Sequence, residues 1–279
     1  KDMLCKLIRT KRMSSEENYL RMGNSIVGFS GKDVLEVGGC STPQLVETFS
    51  PKSWTAVDIN PKRFDGKDHI SKNVEFTSHE MSATALKFEG NSFDRAFSVN
   101  CFEHIDDMEK ALSEIHRVLR PGGLLFTIFG PIWSAPVGHH TWIEHEGGFY
   151  HFGNNVFPDW HHLIKKREKL KTYLSDQYDS DVAEKIVKYV YDSNDINRLT
   201  DGDFEKLIQE SSLSTTLKIW QKQGDLKKSD IREQISVNYP TIINPRNTEM
   251  LLVMSKSKVA LDDNLRIYLG LLIEGARKV

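Results

Sequence analysis

Cysteine is scarce in this chain of 279 residues. The three present, Cys5, Cys40 and Cys101, are odd in number and far apart. They make no disulfide framework, and a reducing compartment, the cytoplasm, is the expectation. Long apolar runs are missing as well, so no segment approaches the roughly 20 residues of a membrane span. The basic opening, KDMLCKLIRTKRM, lacks the apolar stretch of a secretory signal. It begins at Lys1 rather than at a methionine, as a domain cut from a longer chain would. Excess charge is absent too: 37 Lys and Arg stand against 39 Asp and Glu, a formal net charge of −2. Without a basic stripe, neither nucleic acid nor a membrane surface is an expected partner.

What the chain does have is a regular alternation. VLEV (34–37), WTAVDI (54–59), VEFTS (74–78), FDRAFSVN (93–100) and LLFTIF (124–129) are short β-rich runs. A helix is expected from about Pro43 to Phe49, and a second over 103–119. The latter carries Ile105, Met108, Leu112, Ile115 and Leu119 at steps of three and four, and Pro121 with Gly122 and Gly123 ends it at Arg120. Short apolar strands alternating with helices predict a parallel sheet covered on both faces. Ligands bind such sheets beyond the carboxyl ends of the strands, so function belongs to the loops after residues 37, 59, 78, 100 and 129.

The rhythm breaks after Pro131. Residues 131–162 are rich in His, Trp and Gly, and 163–212 read as polar helices. Two late strand-like runs follow, LSTTLKIWQ (213–221) and TEMLLVMSK (248–256), and then a C-terminal helix. The expected division is an N-terminal helical segment (1–30), a cofactor-binding core (31–130), an insertion (131–212), closing strands (213–256) and the terminal helix (257–279). The apolar face of that helix, Leu261, Leu265, Tyr268, Leu269, Leu272 and Ala276, is expected to pack on the domain or on a second copy in a homodimer.

Two signals in the core point to a nucleotide. Gly38 and Gly39 follow the first strand, where a missing Cβ lets the backbone approach a ligand, although such a pair also serves as a plain turn. Asp58 ends the second strand, 22 residues after Glu36, where a carboxylate can accept both hydroxyls of a ribose. The other use of Asp58 is to cap a helix beginning near Pro61. The G-x-G-x-x-G pattern of nicotinamide dinucleotide folds is absent.

A third stretch, FEGNSFDRAFSVNCFEHIDDMEKALSEIHRVLRPGGLLF, resembles the class I S-adenosylmethionine-dependent methyltransferases, in particular their type 11 branch. The similarity runs over residues 30–130 and the two late strands, and leaves 131–212 uncovered. It implies an α/β, Rossmann-like, doubly wound, mostly parallel seven-stranded sheet with a helical insertion after strand five. The implied cofactor is S-adenosylmethionine, released as S-adenosylhomocysteine. By position, the resemblance sets Glu36 at the methionine end of the cofactor and Gly38 and Gly39 in its glycine loop. It sets Asp58 on the ribose, Ile59, Met81 and Ser82 around the adenine, and Asn100 beside the transferred methyl. The sequence departs from the family pattern at Cys40 and Thr42, where glycines are usual, and at Ser82, where an aspartate is usual.

Methyl transfer from a sulfonium is an in-line displacement, so the protein must position the acceptor and, for a hydroxyl, remove its proton. Six of the ten histidines fall between 139 and 162. His139, His140 and His145 are the catalytic candidates, as bases that titrate near neutral pH. His104 stands as a further candidate. A divalent metal held by the same His and Glu residues is a second reading, and ordinary loop histidines a third. The expected activity is O-methylation of a small molecule: a sugar, a secondary metabolite or a phosphorylated compound. The rival from another class is a cofactor-binding partner protein without catalysis.

Overall fold

The computed structural model describes residues 16–39, 41–64, 74–226 and 229–276. Cys5, Cys40 and the basic opening segment lie outside the described residues. Helix α1 (Glu16–Val27) leads into strand β1 (Asp33–Val37), helix α2 (Pro43–Glu47), and strands β2 (Ser53–Asp58), β3 (Glu75–Glu80) and β4 (Phe93–Val99). Helix α3 (Met108–Val118) and strand β5 (Leu119–Phe129) follow. A hairpin of β6 (Trp142–His145) and β7 (Gly148–His151) opens the insertion, which continues through α4 (His161–Ile164), α5 (Arg167–Ser175), α6 (Ser180–Asp192) and α7 (Asp201–Glu210). The chain closes with β8 (Ser214–Lys222), α8 (Ser229–Asn238), β9 (Asn247–Ser255) and α9 (Leu261–Ala276).

Seven strands form one sheet in the order β3-β2-β1-β4-β5-β9-β8. The first five are parallel, and β9 runs antiparallel to both β5 and β8. This is the doubly wound α/β sheet that the resemblance implies. Every residue of β1 is buried, as a strand covered on both faces requires. On one face Leu35 and Val37 join Leu112 and Ile115 of α3 and Phe204 and Ile208 of α7. On the other, Val34, Trp54, Phe97 and Phe126 pack with Leu20 and Ile26 of α1 and Ile267 of α9. Strand order reverses between β1 and β4, and a crevice opens at their carboxyl ends.

Four local expectations change. The helix predicted from residue 103 starts only at Met108, after a short 3-10 turn over Phe102–His104. The Asn197 amide nitrogen donates to the carbonyls of Phe102 and Ile105, so these join the insertion instead of a helix, and the Asp107 side chain caps α3 by accepting from Lys110 N. Strand β5 begins five residues early, because Leu119 pairs with Phe93 and Arg120 bridges Asp33 and Asp94. The insertion has a core of its own, built on Trp133, Phe157, Trp160, Leu170, Ile186 and Val187 and joined by Ile235 of the unforeseen α8. Its last helix, α7, covers the sheet. Finally, α9 turns Ile267 and Leu271 inward and sets Gly270 against the backbone of Ser25, while Leu261, Leu265, Tyr268, Leu269 and Leu272 are exposed. The side chain of Ala276 lies outside the described residues. The stripe read from spacing is therefore the outer face of the helix, because the close approach to α1 needs the glycine side.

Candidate active site

The turn after β1 is built around Gly38. Its φ is +78°, and a Cβ added there would lie 1.9 Å from the Cys101 sulfur. Only glycine allows the loop to pass that close to the end of β4. Its N–H donates to the Val57 carbonyl at 2.9 Å, tying the turn to β2. Glu36 holds the loop from below: Oε2 accepts from Ser41 N and Trp54 Nε1, and Oε1 accepts from the Ser41 hydroxyl. Burial raises the pKa of Glu36. From α1, Glu16 accepts from both the N–H and the hydroxyl of Thr42. Carboxylates and hydroxyls thus fix a loop that the family fixes with further glycines.

Two adjoining cavities follow the strand ends. One, of about 390 Å³, is lined by Gly38, Asp58, Ile59, Met81, Ser82 and Asn100, with Arg63, Cys101, His104 and Ile105. The other, of about 400 Å³, is lined by Glu16, Tyr19, Glu36, Gly38, Gly39 and Arg63, with Asn100. Gly38, Arg63 and Asn100 border both, so the two form one groove pinched at the tips of β1 and β4. All eight residues assigned to the cofactor by resemblance therefore line this groove.

In the first cavity Asp58 accepts from Asn60 N at 2.7 Å, and Asn60 in turn accepts from Lys62 N. Asn60 supports the turn at Pro61, so Asp58 is not its cap. Ile59 is 73% exposed, an apolar side chain at the mouth that suits a flat ring. Met81 N donates to the Asp58 carbonyl, joining the tips of β2 and β3. The Ser82 hydroxyl pairs with that of Thr84. Asn100 adopts φ of +49°, a left-handed conformation that asparagine tolerates better than most residues. Burial pushes the Cys101 thiol up to about 12, which makes it an inert wall.

Behind Asn100 lies a group that sequence reading missed. Glu103 is 1% exposed. Its Oε1 accepts from Gly130 N at 3.0 Å, and its Oε2 is buried without a hydrogen-bond partner. Burial pushes its pKa up to about 7, with Glu249 adding to the rise and His104 opposing it. Tyr19, on α1, is raised by burial and held by Asn100. The one clue in the sequence was the position of Glu103, three residues past a strand tip.

The catalytic histidine candidates do not gather at the groove. His139 is buried in the insertion, its ring 4.2 Å from that of Phe157 and its Nδ1 bonded to the Thr141 hydroxyl. Burial lowers its pKa well below the usual 6.5. His140 donates from Nε2 to the Pro131 carbonyl, stacks on Phe152 and meets His104 edge-on at 5.1 Å. Burial takes it down to about 3. His145 ends β6 and pairs with Asp181 of α6 at 2.6 Å. Of the histidines considered, only His104 lines the groove. Among the described residues, no three His, Cys, Asp or Glu side chains are grouped to hold a metal ion, and no helix is long and apolar enough to cross a membrane.

Comparison with known proteins agrees with this geometry. A family profile for the methyltransferase domain, type 11, matches residues 35–127. A probable phthiotriol/phenolphthiotriol dimycocerosates methyltransferase of Mycobacterium ulcerans is 37% identical over 99 residues, 34% of this chain and 38% of that protein. A malonyl-[acyl-carrier protein] O-methyltransferase of Paenibacillus is 28% identical over 182 residues, 60% of this chain and 59% of that protein. The chain thus spans less than two thirds of the length of these curated relatives. A solved S-adenosylmethionine-dependent methyltransferase from Mesorhizobium loti superposes with a TM-score of 0.52 at 13% identity, over 86% of this chain and 98% of that one, a likeness of fold. Residues 35–127 thus match a methyltransferase domain of the type 11 family, and they supply the glycine turn and the first five strands of the doubly wound sheet.

Proposed function

We propose that this chain transfers a methyl group from S-adenosylmethionine to an oxygen atom of a small molecule. The observation that carries this reading is the pinched groove at the switch point, bordered on both sides by Gly38, Arg63 and Asn100. In it Asp58 would hold the ribose, with Ile59, Met81 and Ser82 around the adenine and Gly38, Gly39 and Glu36 at the methionine end. The bound cofactor would supply an activated methyl carbon. The chain's own part is to fix that carbon at the groove's waist and to bring an acceptor against it. The insertion would form the acceptor's wall, since it follows β5 directly and is clamped by Asn197 to the turn after β4.

Oxygen as the acceptor atom is supported by the relative that methylates malonyl-[acyl-carrier protein] as an O-methyltransferase. The acceptor classes are a sugar, a secondary metabolite or a phosphorylated small molecule, to which that relative adds an acyl group. His139 and His140 suit the role of wall better than that of base: a buried imidazole that resists protonation takes up a proton poorly at neutral pH. A metal-assisted mechanism would need ligands brought together by the acceptor itself. We further infer a homodimer seated on the outer stripe of α9. Leu261, Leu265, Tyr268 and Leu272 follow a heptad rhythm, the seam along which two helices pair. Sedimentation should give a dimer that Leu265→Glu splits, and a monomeric wild type rejects it.

The test of function is calorimetric titration with S-adenosylmethionine and S-adenosylhomocysteine, followed by methyl-transfer assays on acyl, sugar and phosphorylated acceptors. Binding of both with turnover supports the enzyme. Binding without turnover on any acceptor favours the non-catalytic partner protein, and no binding rejects both.

A further inference from the structure

The Glu103 carboxyl group is half satisfied. One oxygen has its donor in Gly130 N, while the other is enclosed without one. A buried acceptor left unpartnered costs free energy, and each such atom in a native fold calls for a cause: strain, an enclosed water or ion, or a catalytic role. Glu103 sits in the turn after β4, three residues beyond Asn100, and its turn neighbours Cys101 and His104 both line the groove. Its backbone carbonyl accepts from Asn197 N, so the carboxyl group stands where the sheet edge meets the insertion. That is the side from which an acceptor would approach the waist of the groove.

We propose that Glu103, through Oε2, is the counter-charge of the cofactor's sulfonium and the base that takes the acceptor's proton. This rests on the methyltransferase reading above. As the acceptor oxygen bonds to the methyl carbon, the carbon–sulfur bond breaks with its electron pair left on sulfur, and the hydroxyl proton passes to Oε2. A cation and a carboxylate before the step become two neutral groups after it. In a site closed to water this keeps the net charge at zero throughout, which avoids the cost of an isolated buried charge.

The ionisable groups whose charge reaches Glu103 are Tyr19 on α1, Cys101 and His104 on its own turn, and Glu249 on β9. Gly130 and Asn197 bring only N–H donors from the end of β5 and from the insertion. Burial raises Tyr19 and Cys101 further above their ordinary alkaline range, so neither titrates near neutrality. Burial raises both Glu36 and Glu249, which the variants below separate from Glu103.

The test needs no acceptor. The affinities of S-adenosylmethionine and S-adenosylhomocysteine are measured by calorimetry from pH 5.5 to pH 8, and their ratio is taken so that groups common to both cancel. The preference for the sulfonium should rise by more than tenfold between pH 5.5 and pH 8, because a carboxylate a few ångströms from a cation at an effective dielectric near 20 favours it by up to about a thousandfold and this one ionises near pH 7. Glu103→Gln should keep the Gly130 hydrogen bond and bind both compounds with a flat ratio. Glu249→Gln should keep the rise and move its midpoint to lower pH, because the Glu249 charge lifts Glu103. If Glu103→Gln does not fold, the wild type and Glu249→Gln alone decide the matter. A ratio independent of pH in the wild type, or a rise that persists in Glu103→Gln, overturns the proposal. Failure of the wild type to bind either compound overturns the methyltransferase reading itself.

Discussion

At the tip of β4 a carboxylic acid, Glu103, is buried and its pKa is pushed up to about 7. Under the insertion, His140 is buried and pushed down to about 3, with His162 at about 4. Desolvation is the leading cause in each case, and it favours the neutral form of acid and base alike. The two regions differ in what surrounds these groups. The imidazoles are absorbed into packing: His139 against Phe157, His140 against Phe152 and His162 against Trp133. Glu103 and His162 each keep a buried polar atom without a partner, but of the two only Glu103 does so in a turn whose neighbours Cys101 and His104 line the groove. A dense group of titratable residues is thus a weak sign of catalysis when each ring is enclosed by aromatic neighbours. A single half-satisfied acid at a strand tip is a stronger one.

If the insertion is a packed unit and the edge a binding surface, substitutions should separate the two. The largest effect is expected from Trp160→Ala, which empties the insertion core and removes the indole N–H bond to the Pro245 carbonyl. Urea unfolding should show a loss of about 3–5 kcal/mol. The folded fraction should bind S-adenosylhomocysteine as before, and a large loss of affinity would show that the regions are not separable. Gly38→Ala should do the reverse, since both φ and the Cys101 contact oppose a side chain. Calorimetry should record a roughly hundredfold weaker cofactor complex, about 3 kcal/mol, with the insertion intact.

The pH dependence of stability should carry opposite signs in the two regions. His162 has a folded pKa below its ordinary 6.5, so its contribution is full above pH 6.5 and is lost as pH falls toward 4. His162→Gln should remove about 2 kcal/mol of the stability lost between pH 7 and pH 5. Glu103 has a folded pKa above its ordinary 4.5, so its contribution is full below pH 4.5 and is lost as pH rises through about 7. Glu103→Gln should flatten the opposite limb, between pH 5 and pH 8, by a similar amount. Urea titrations at a series of pH values check both, and two limbs of the same sign would refute the contrast. The smallest effect is expected from Asp58→Asn, about a tenfold loss of S-adenosylhomocysteine affinity, because an amide replaces only one of the acceptors offered to a ribose. Unchanged affinity would remove Asp58 from the site.

The sheet edge was legible in the sequence because its residues are fixed by local backbone demands. Glycine at Gly38 and a carboxylate closing β2 sit at set distances from apolar runs that are visible one at a time, whereas Ile59, Met81, Ser82 and Asn100 came only from the family resemblance. The insertion was legible only as a change in composition. Its apolar partners lie far apart in the chain, as Ile235 on α8 and Trp133 do, so no local period announces them. The apolar stripe of α9 was expected on the domain or on a second copy; the domain takes the glycine side instead, because a helix that approaches another closely buries that side and spacing ranks residues by apolarity alone. Glu103 escaped notice because a glutamate before an apolar helix reads as a solvated first turn. Only the carbonyls captured by Asn197 end the helix short of it and leave it enclosed.

A crystal of the chain grown with S-adenosylhomocysteine tests the central claim most directly. The ligand should lie across both cavities, with its ribose on Asp58, its sulfur at the waist between Gly38 and Asn100, and the Glu103 carboxyl group on the side where the methyl group would leave. Density for the compound outside the groove, or a groove that stays empty at saturating concentration, would contradict it.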